Sequence, residues 1–141
     1  MNLSAKTEYA CIAVLELAAR YAADEPVRIR DIAERHGVPS RFLVQILLQL
    51  KGVGLVASTR GAAGGYQLVR PPDEITLEQV MSAMEGSAEM KSSAAVATPI
   101  TRTLWKAWKQ AAAAERERLR GITFGDLVEQ LRGQAEEMYY I

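Results

Sequence analysis

Cysteine and histidine are nearly absent from this sequence of 141 residues. Cys11 and His36 are single copies, so no internal disulfide can form and no zinc site of cysteines and histidines can be assembled. A lone cysteine fits the reducing cytoplasm. A nucleophile, a base and an orienting group converge nowhere, and His36 has no evident partner. We therefore expect a cytoplasmic protein that is not an enzyme and binds no metal or other cofactor.

Long hydrophobic runs and an excess of charge of either sign are also missing. No apolar run approaches the length of a membrane span, so no membrane association is expected. The 17 basic and 17 acidic residues cancel, which at first argues against a polyanionic partner. However, residues 26–70 carry seven bases against two acids, while both flanking segments are net acidic. A neutral chain thus contains a basic middle.

Two short helices and a tight turn are predicted in this basic middle. The first helix spans Asp31 to Arg35 and ends at Gly37, and the second spans Ser40 to Lys51. The second helix has a buried stripe made by Leu43, Ile46, Leu47 and Leu50. Two short helices joined by a glycine-containing turn indicate a helix-turn-helix.

A β-hairpin is predicted directly after the second helix. Residues 55–59 and 66–69 are expected to form strands, and the glycine-rich segment between them forms the tip. Because it follows a helix-turn-helix, the hairpin is interpreted as a wing. The expected fold class is mainly α with a small β wing. It consists of a winged helix-turn-helix plus a long dimerisation helix, which is described below with the C-terminal part of the chain.

Helices are also predicted on both sides of this module. A first helix is expected from a cap at Ser4 to about Ala22. Its apolar face comprises Ala10, Ala13, Val14, Leu17, Ala18 and Tyr21. Val27 to Ile29 is too short for anything but a small edge strand. Pro71 and Pro72 then break the chain, so we predict a DNA-binding domain over residues 1–72 and a helical dimerisation arm over residues 73–141.

The arm is predicted to hold three helices, each opened by a threonine cap. They run from Thr76 to about Glu85, from Thr98 to about Arg120, and from Thr123 to about Arg132. Residues 86–98 are small and polar enough to form a loop between the first two, and this loop has no cysteine.

The outward face of the second helix of the helix-turn-helix carries the predicted base-reading residues. Arginine can bridge two acceptors of guanine, and glutamine can pair with adenine, so Arg41 and Gln45 are the natural readers. Val44 is an exposed apolar residue that could meet a thymine methyl, and Ser40 opens the same helix. The alternative is an ordinary solvated face.

The wing and three further basic residues are predicted to contact DNA outside the major groove. Arg60 with Gly61 at the tip could enter a narrow minor groove. The alternative is a turn in which the arginine is merely exposed. Lys51, Arg28 and Arg35 are predicted to touch phosphates, contacts that fix register without specifying sequence.

The long helix of the arm is the candidate dimer seam. Ile100, Leu104, Trp108 and Ala111 fall near one face, which suits packing against another helix. A monomer with few phosphate contacts binds too weakly to select a site in a genome, so a homodimer is expected. The alternative is packing of this helix on its own domain.

Several segments of the sequence carry a resemblance to a known family. The resemblance is carried by residues 3–10, 29–34, 42–47 and 54–56, and by the wing sequence Arg60-Gly61-Ala62-Ala63-Gly64-Gly65-Tyr66-Gln67-Leu68. Together these segments resemble the Rrf2 family of bacterial transcription regulators. Segments near Thr76 and Thr123 also fit, so the likeness covers almost the whole chain.

The resemblance implies a homodimeric winged-helix protein that binds palindromic operators, dimerises through the long helix and usually represses. Arg41, Gln45, Arg60 and Gly61 are carried over by position. Val44 falls where several relatives carry glutamate, and Pro39 falls where a capping serine is common. The operator preference of those relatives is therefore not carried over.

Many members of the family hold an iron-sulfur cluster on three cysteines in the loop before the dimer helix. Residues 86–98 of this chain contain neither cysteine nor histidine, so ligation by thiolates is unavailable here. Glu8 matches a position that supplies an acidic ligand in some members, but one carboxylate cannot hold a cluster, so we interpret it as a surface acid.

The leading hypothesis is a sequence-specific transcription regulator, a repressor, that binds double-stranded DNA as a homodimer without a cluster. A small-molecule or protein effector is possible in such a protein. Two alternatives stay open: a winged-helix interaction module that binds a metabolic enzyme, and a thiol sensor that uses Cys11.

Overall fold

The computed structural model describes residues 1–86 and 90–139, with side chains described as far as residue 135. The helices in this part of the chain are α1 (Ala5–Ala19), α2 (Ile29–His36), α3 (Ser40–Gly52), α4 (Leu77–Glu85), α5 (Pro99–Arg120) and α6 (Phe124–Tyr139). The strands are β1 (Val56–Thr59) and β2 (Gly65–Leu68), and a short 3-10 helix spans Pro72–Glu74. This confirms the expected mainly helical fold with a small β wing.

The first helix starts as predicted but ends early. The Ser4 hydroxyl accepts a hydrogen bond from the Thr7 amide at 3.1 Å and so caps α1. The helix ends at Ala19 rather than near Ala22, because successive turns lead to Asp24, whose backbone is left-handed with φ of 52°. Tyr21, predicted on the apolar face, is consequently 37% exposed.

The second helix begins earlier than predicted. It starts at Ile29 instead of Asp31, since the extended backbone of Arg28 already serves as its cap residue. The edge strand expected over Val27 to Ile29 is reduced to one bridge between Val27 and Tyr66. Gly37 ends α2 with φ of 66°, as predicted, and the tight turn then leads into α3.

The wing is a two-stranded antiparallel hairpin, defined here as residues 56–68, and it is attached to the body of the protein. β1 and β2 pair from Val56 with Leu68 to Thr59 with Gly65. Val27 and Tyr66 exchange two backbone hydrogen bonds, of 2.9 and 2.8 Å. These bonds fix the base of the wing beside the start of α2.

The helices of the arm begin at the predicted threonines. Thr76 and Thr98 each form a reciprocal capping box, and Thr123 and Asp126 exchange hydrogen bonds of 3.0 Å at the start of α6. The end of α6 was predicted near Arg132, which is wrong. Gly133 costs a helix only about 1 kcal/mol relative to alanine, and strong helix formers follow it.

A single hydrophobic core joins both parts of the chain. α1 contacts α2, α3, α4 and α6, and also β2. Phe124, Ile75 and Val80 from beyond Pro72 are fully buried in this core. The boundary after Pro72 stays a prediction about functional units, and it does not divide the core. None of the helices in the described residues is long and apolar enough to cross a bilayer.

Gly65 offers a test of how the wing is attached. Its φ is 152°, and a Cβ at this position would lie 2.7 Å from the backbone of Val27. We expect Gly65→Ala to lower the free energy of unfolding by about 1–3 kcal/mol, measured by urea denaturation. Gly52→Ala is the control, because no atom lies within 4 Å of a Cβ there. Equal stability of the two variants would contradict this account.

Candidate nucleic-acid interface

The outward face of α3 presents the predicted base-reading residues. The predicted stripe of Leu43, Ile46, Leu47 and Leu50 is buried. Ser40, Arg41, Val44 and Gln45 are all exposed, and Leu48 is 51% exposed on the same face. We call Arg41, Val44, Gln45 and Leu48 the reading face. It combines hydrogen-bonding side chains with apolar ones, as base edges and thymine methyls require.

Phe42 also contributes to this surface, although no pattern in the sequence marked it as a functional residue. It is 44% exposed, its ring centroid lies 6.0 Å from that of Tyr9 on α1, and the guanidinium carbon of Arg41 lies 5.1 Å from the ring centroid. Plotting α3 on a helical wheel would have found it, because Phe42 falls at the edge of the buried stripe.

The tip of the wing carries Arg60 and Gly61 into solvent. Both residues are exposed, and Gly61 has a φ of 104°, a conformation that favours glycine. A Cβ on Gly64 would lie 2.2 Å from the carbonyl oxygen of Thr59. The glycines therefore permit the tight reversal that places Arg60 at the end of the hairpin.

The three residues predicted to contact phosphates have different surroundings. Arg28 is exposed in the extended segment before α2. Lys51 is exposed and donates a hydrogen bond of 2.8 Å from Nζ to the Ser58 hydroxyl, which links α3 to β1. Arg35 is ion-paired at 2.6 Å with Glu16, so its positive charge is locally compensated.

Glu16 also supplies a partner for His36, contrary to the expectation from sequence. Nε2 of His36 lies 3.2 Å from Oε1 of Glu16, the same oxygen that accepts the hydrogen bond from Arg35. The Glu16 side chain is only 9% exposed. The contact joins residues that are 20 positions apart, which explains why local sequence patterns did not reveal it. It ties the end of α2 to α1.

The apolar stripe of α5, formed by Ile100, Leu104, Trp108 and Ala111, is uncovered in the single chain. Ile100 is 74% exposed, Leu104 48% and Trp108 55%. Half-buried Thr101, Trp105 and Ala112 mark a different side of the helix, by which it packs on its own protomer. Because α5 also packs on α4 of its own protomer, the alternative holds for that side of the helix, and the dimer seam on the exposed stripe stays a prediction.

The donor set of the described residues does not fit an iron-sulfur cluster held by thiolates. Residues 86–98 contain no cysteine or histidine, and no group of three His, Cys, Asp or Glu side chains suited to a metal occurs in the described part of the chain. Cys11 lies on α1. Burial, together with the nearby Glu85 carboxylate, raises its pKa to about 11. It is thus a poor thiolate donor.

A helix-turn-helix with an exposed reading face, followed by a wing that ends in arginine, is the architecture of winged-helix DNA-binding proteins. Over the described residues the helices that build it share one core with the arm. The fold and the site therefore define a winged-helix DNA-binding protein.

Comparisons with known proteins give the family. A family model described as "Rrf2: Iron-dependent Transcriptional regulator" matches residues 3–130. The chain is 37% identical over 134 residues to the HTH-type transcriptional regulator IscR of Aliivibrio salmonicida, covering 91% of this chain and 77% of that protein. It is 32% identical over 142 residues to the regulator CymR of Bacillus subtilis, covering 100% of both.

Solved structures agree with this assignment. The structure of CymR, the global cysteine regulator of B. subtilis, matches with a TM-score of 0.78 and 30% identity, covering 92% of this chain and 98% of that one. IscR of T. potens matches with a TM-score of 0.73 and 32% identity, covering 93% and 88%. The chain belongs to the Rrf2 family and is a DNA-binding transcription regulator.

The raised pKa of Cys11 yields a test of the thiol-sensor alternative. A shift from 9.0 to about 11 lowers the thiolate fraction about a hundredfold at pH 7.5. We expect alkylation by iodoacetamide at pH 7.5 to be at least about tenfold slower in the folded protein than in the urea-unfolded chain, because the more basic thiolate is also more nucleophilic and offsets part of its lower population. The folded-state rate should then rise with pH until about pH 11. Equal rates in the two states at pH 7.5 would restore the sensor hypothesis.

Proposed function

We propose that this regulator is a cytoplasmic repressor, without enzymatic activity, that binds a palindromic operator as a homodimer and needs no iron-sulfur cluster. In this proposal Arg41 and Gln45 read base edges in the major groove, while Ser40 and Val44 complete that surface. Arg60 and Gly61 place the wing in the adjacent minor groove. Lys51, Arg28 and Arg35 contact phosphates.

The observation that carries the proposal is the reading face of α3. Its residues are exposed on a helix whose opposite side is buried in the core. Arg41 presents a planar fork of donors that matches two acceptors of guanine, and Gln45 lies about one helical turn away, within reach of the next bases. The net charge of +5 over residues 26–70 attracts the phosphate backbone.

A homodimer is supported by the uncovered apolar stripe of α5. Exposed Ile100, Leu104 and Trp108 would lose contact with water if the same stripe of a second copy packed against them. A two-fold axis through such a seam would present two reading faces related by symmetry. A palindromic site is the DNA counterpart of that symmetry. Dimerisation also doubles the number of phosphate contacts.

The absence of cysteine and histidine from residues 86–98 supports a regulator that needs no iron-sulfur cluster. The family model, in contrast, is described as iron-dependent. We propose a small molecule or a protein partner as the signal that controls this regulator. The repressor role rests on the family resemblance. A dimer bound to its operator would repress by excluding other proteins from the same DNA.

The DNA contacts can be tested with duplexes selected from a random library by the wild-type protein. We expect Arg41→Ala with Arg60→Ala to lower affinity for the selected duplex at least about tenfold, measured by fluorescence anisotropy. Arg120→Ala with Arg132→Ala removes the same charge from α5 and α6 and should bind normally. Affinities should be equal with and without an iron chelator. Full affinity of the Arg41/Arg60 double variant would refute the assignment.

The dimer seam can be tested by placing a charge in the apolar stripe. In analytical ultracentrifugation we expect the wild type to sediment as a dimer, with twice the 15.5 kDa mass of one chain. Leu104→Glu should sediment as a monomer, because a buried unpaired carboxylate opposes association. Gln110→Glu, exposed on another side of α5, should remain dimeric. A wild-type monomer, or a dimeric Leu104→Glu variant, would show that the stripe is not the seam.

A further inference from the structure

Three side chains form a row of contacts from the body of the protein to its reading face. Tyr9 lies on α1, and its ring centroid is 6.0 Å from that of Phe42, with the ring planes at 45°. The Phe42 ring in turn lies 5.1 Å from the guanidinium carbon of Arg41. Phe42 is 44% exposed, so its ring spans the boundary between the core and solvent.

We propose that Phe42 is a positioning residue for DNA recognition: its ring, supported by Tyr9, holds the guanidinium of Arg41 in the orientation that reads a base. This inference rests on the proposed function, in which Arg41 contacts a base edge. It adds a residue that acts through Arg41 and makes no contact with DNA in this role.

The geometry of α3 explains why Arg41 needs such a contact. Neighbouring residues leave a helix about 100° apart, so the guanidinium reaches the ring only because the long side chain bends toward it. An arginine at an exposed position otherwise samples many rotamers, and ordering them on binding reduces affinity. A contact that already limits those rotamers in the free protein lowers that cost.

An aromatic ring also suits this task better than a carboxylate. Arg35 is held by Glu16 at 2.6 Å, and this pairing occupies a donor and offsets the charge. Among the described residues, no ion pair of that kind is found for Arg41. The face of a ring attracts the cation and leaves the edge donors of the guanidinium available for guanine.

The test compares Phe42→Leu, which keeps an apolar side chain against Tyr9 but removes the ring, with Phe42→Tyr, which keeps the ring. Binding is measured by fluorescence anisotropy to the duplex that the wild type selects, to copies in which each guanine is replaced in turn, and to a duplex of unrelated sequence. We expect Phe42→Leu to bind the selected duplex about two- to fivefold more weakly. Phe42→Tyr should bind like the wild type.

Discrimination distinguishes positioning from a merely structural role. With Phe42→Leu, we expect preference for the guanine read by Arg41 to fall by the same factor. Affinity for the unrelated duplex and the melting temperature should not change. In an Arg41→Gln background, Phe42→Leu should cause no further loss. Tyr9→Leu, which leaves the Phe42 ring unsupported, should lower the same preference by a smaller factor and serves if Phe42→Leu folds poorly.

Three results would overturn the inference. Unchanged affinity and discrimination in Phe42→Leu would show that the ring does not orient Arg41. An equal loss in the Arg41→Gln background would show that Phe42 acts independently of Arg41. A wild-type protein that selects no sequence at all would remove the proposed function, and this inference with it, whereas the first two results leave the proposed function standing.

Discussion

The close packing of α1 is the contact on which the rest of the structure depends. Ala10 and Ala13 are completely buried, and such small side chains allow neighbouring helices to approach closely. α3 and α2 pack on this helix from the helix-turn-helix, and α4 and α6 pack on it from the arm. Thr7, also fully buried, donates a hydrogen bond of 3.2 Å to Glu85 at the end of α4. The reading face and the arm are therefore held by one helix.

The basic residues in the middle of the chain differ in whether a carboxylate pairs with them. Glu16 holds Arg35 and His36 together at the end of α2, and it also lies 3.9 Å from Arg20. These contacts fix the orientation of the helix-turn-helix. Arg41 instead lies over an aromatic ring. Arg35 thus contributes to the fold, whereas among the described residues no carboxylate pairs with Arg41.

Local signals in the sequence were enough for most of the fold. Caps at Ser4, Thr76 and Thr98 act within one helical turn, so they are readable from neighbouring residues alone. The predicted ends of α1 and α6 were wrong. Whether the chain turns at Asp24, and whether a helix continues through Gly133, depends on contacts with the rest of the fold and not on the neighbouring residues alone. The apolar spacing that identified the buried side of α3 also identified its exposed side.

Contacts between residues far apart along the chain could not be predicted from the sequence, for a physical reason. The pairing of Glu16 with His36 and the contact between the tilted rings of Phe42 and Tyr9 join residues whose proximity is decided by packing, not by spacing along one helix. The direction in which Ile100 and Trp108 face is likewise decided by tertiary packing, here by the contact of α5 with α4.

The apolar stripe of α5 and the basic residues near the reading face also differ in how the strength of their contacts depends on temperature and ionic strength. Contacts made by burying Ile100, Leu104 and Trp108 weaken on cooling, because the hydrophobic effect is largely entropic near room temperature. Contacts made by arginine and lysine to phosphate weaken as ionic strength rises. Association of the proposed homodimer would thus depend chiefly on temperature, and its proposed contacts with phosphate chiefly on salt.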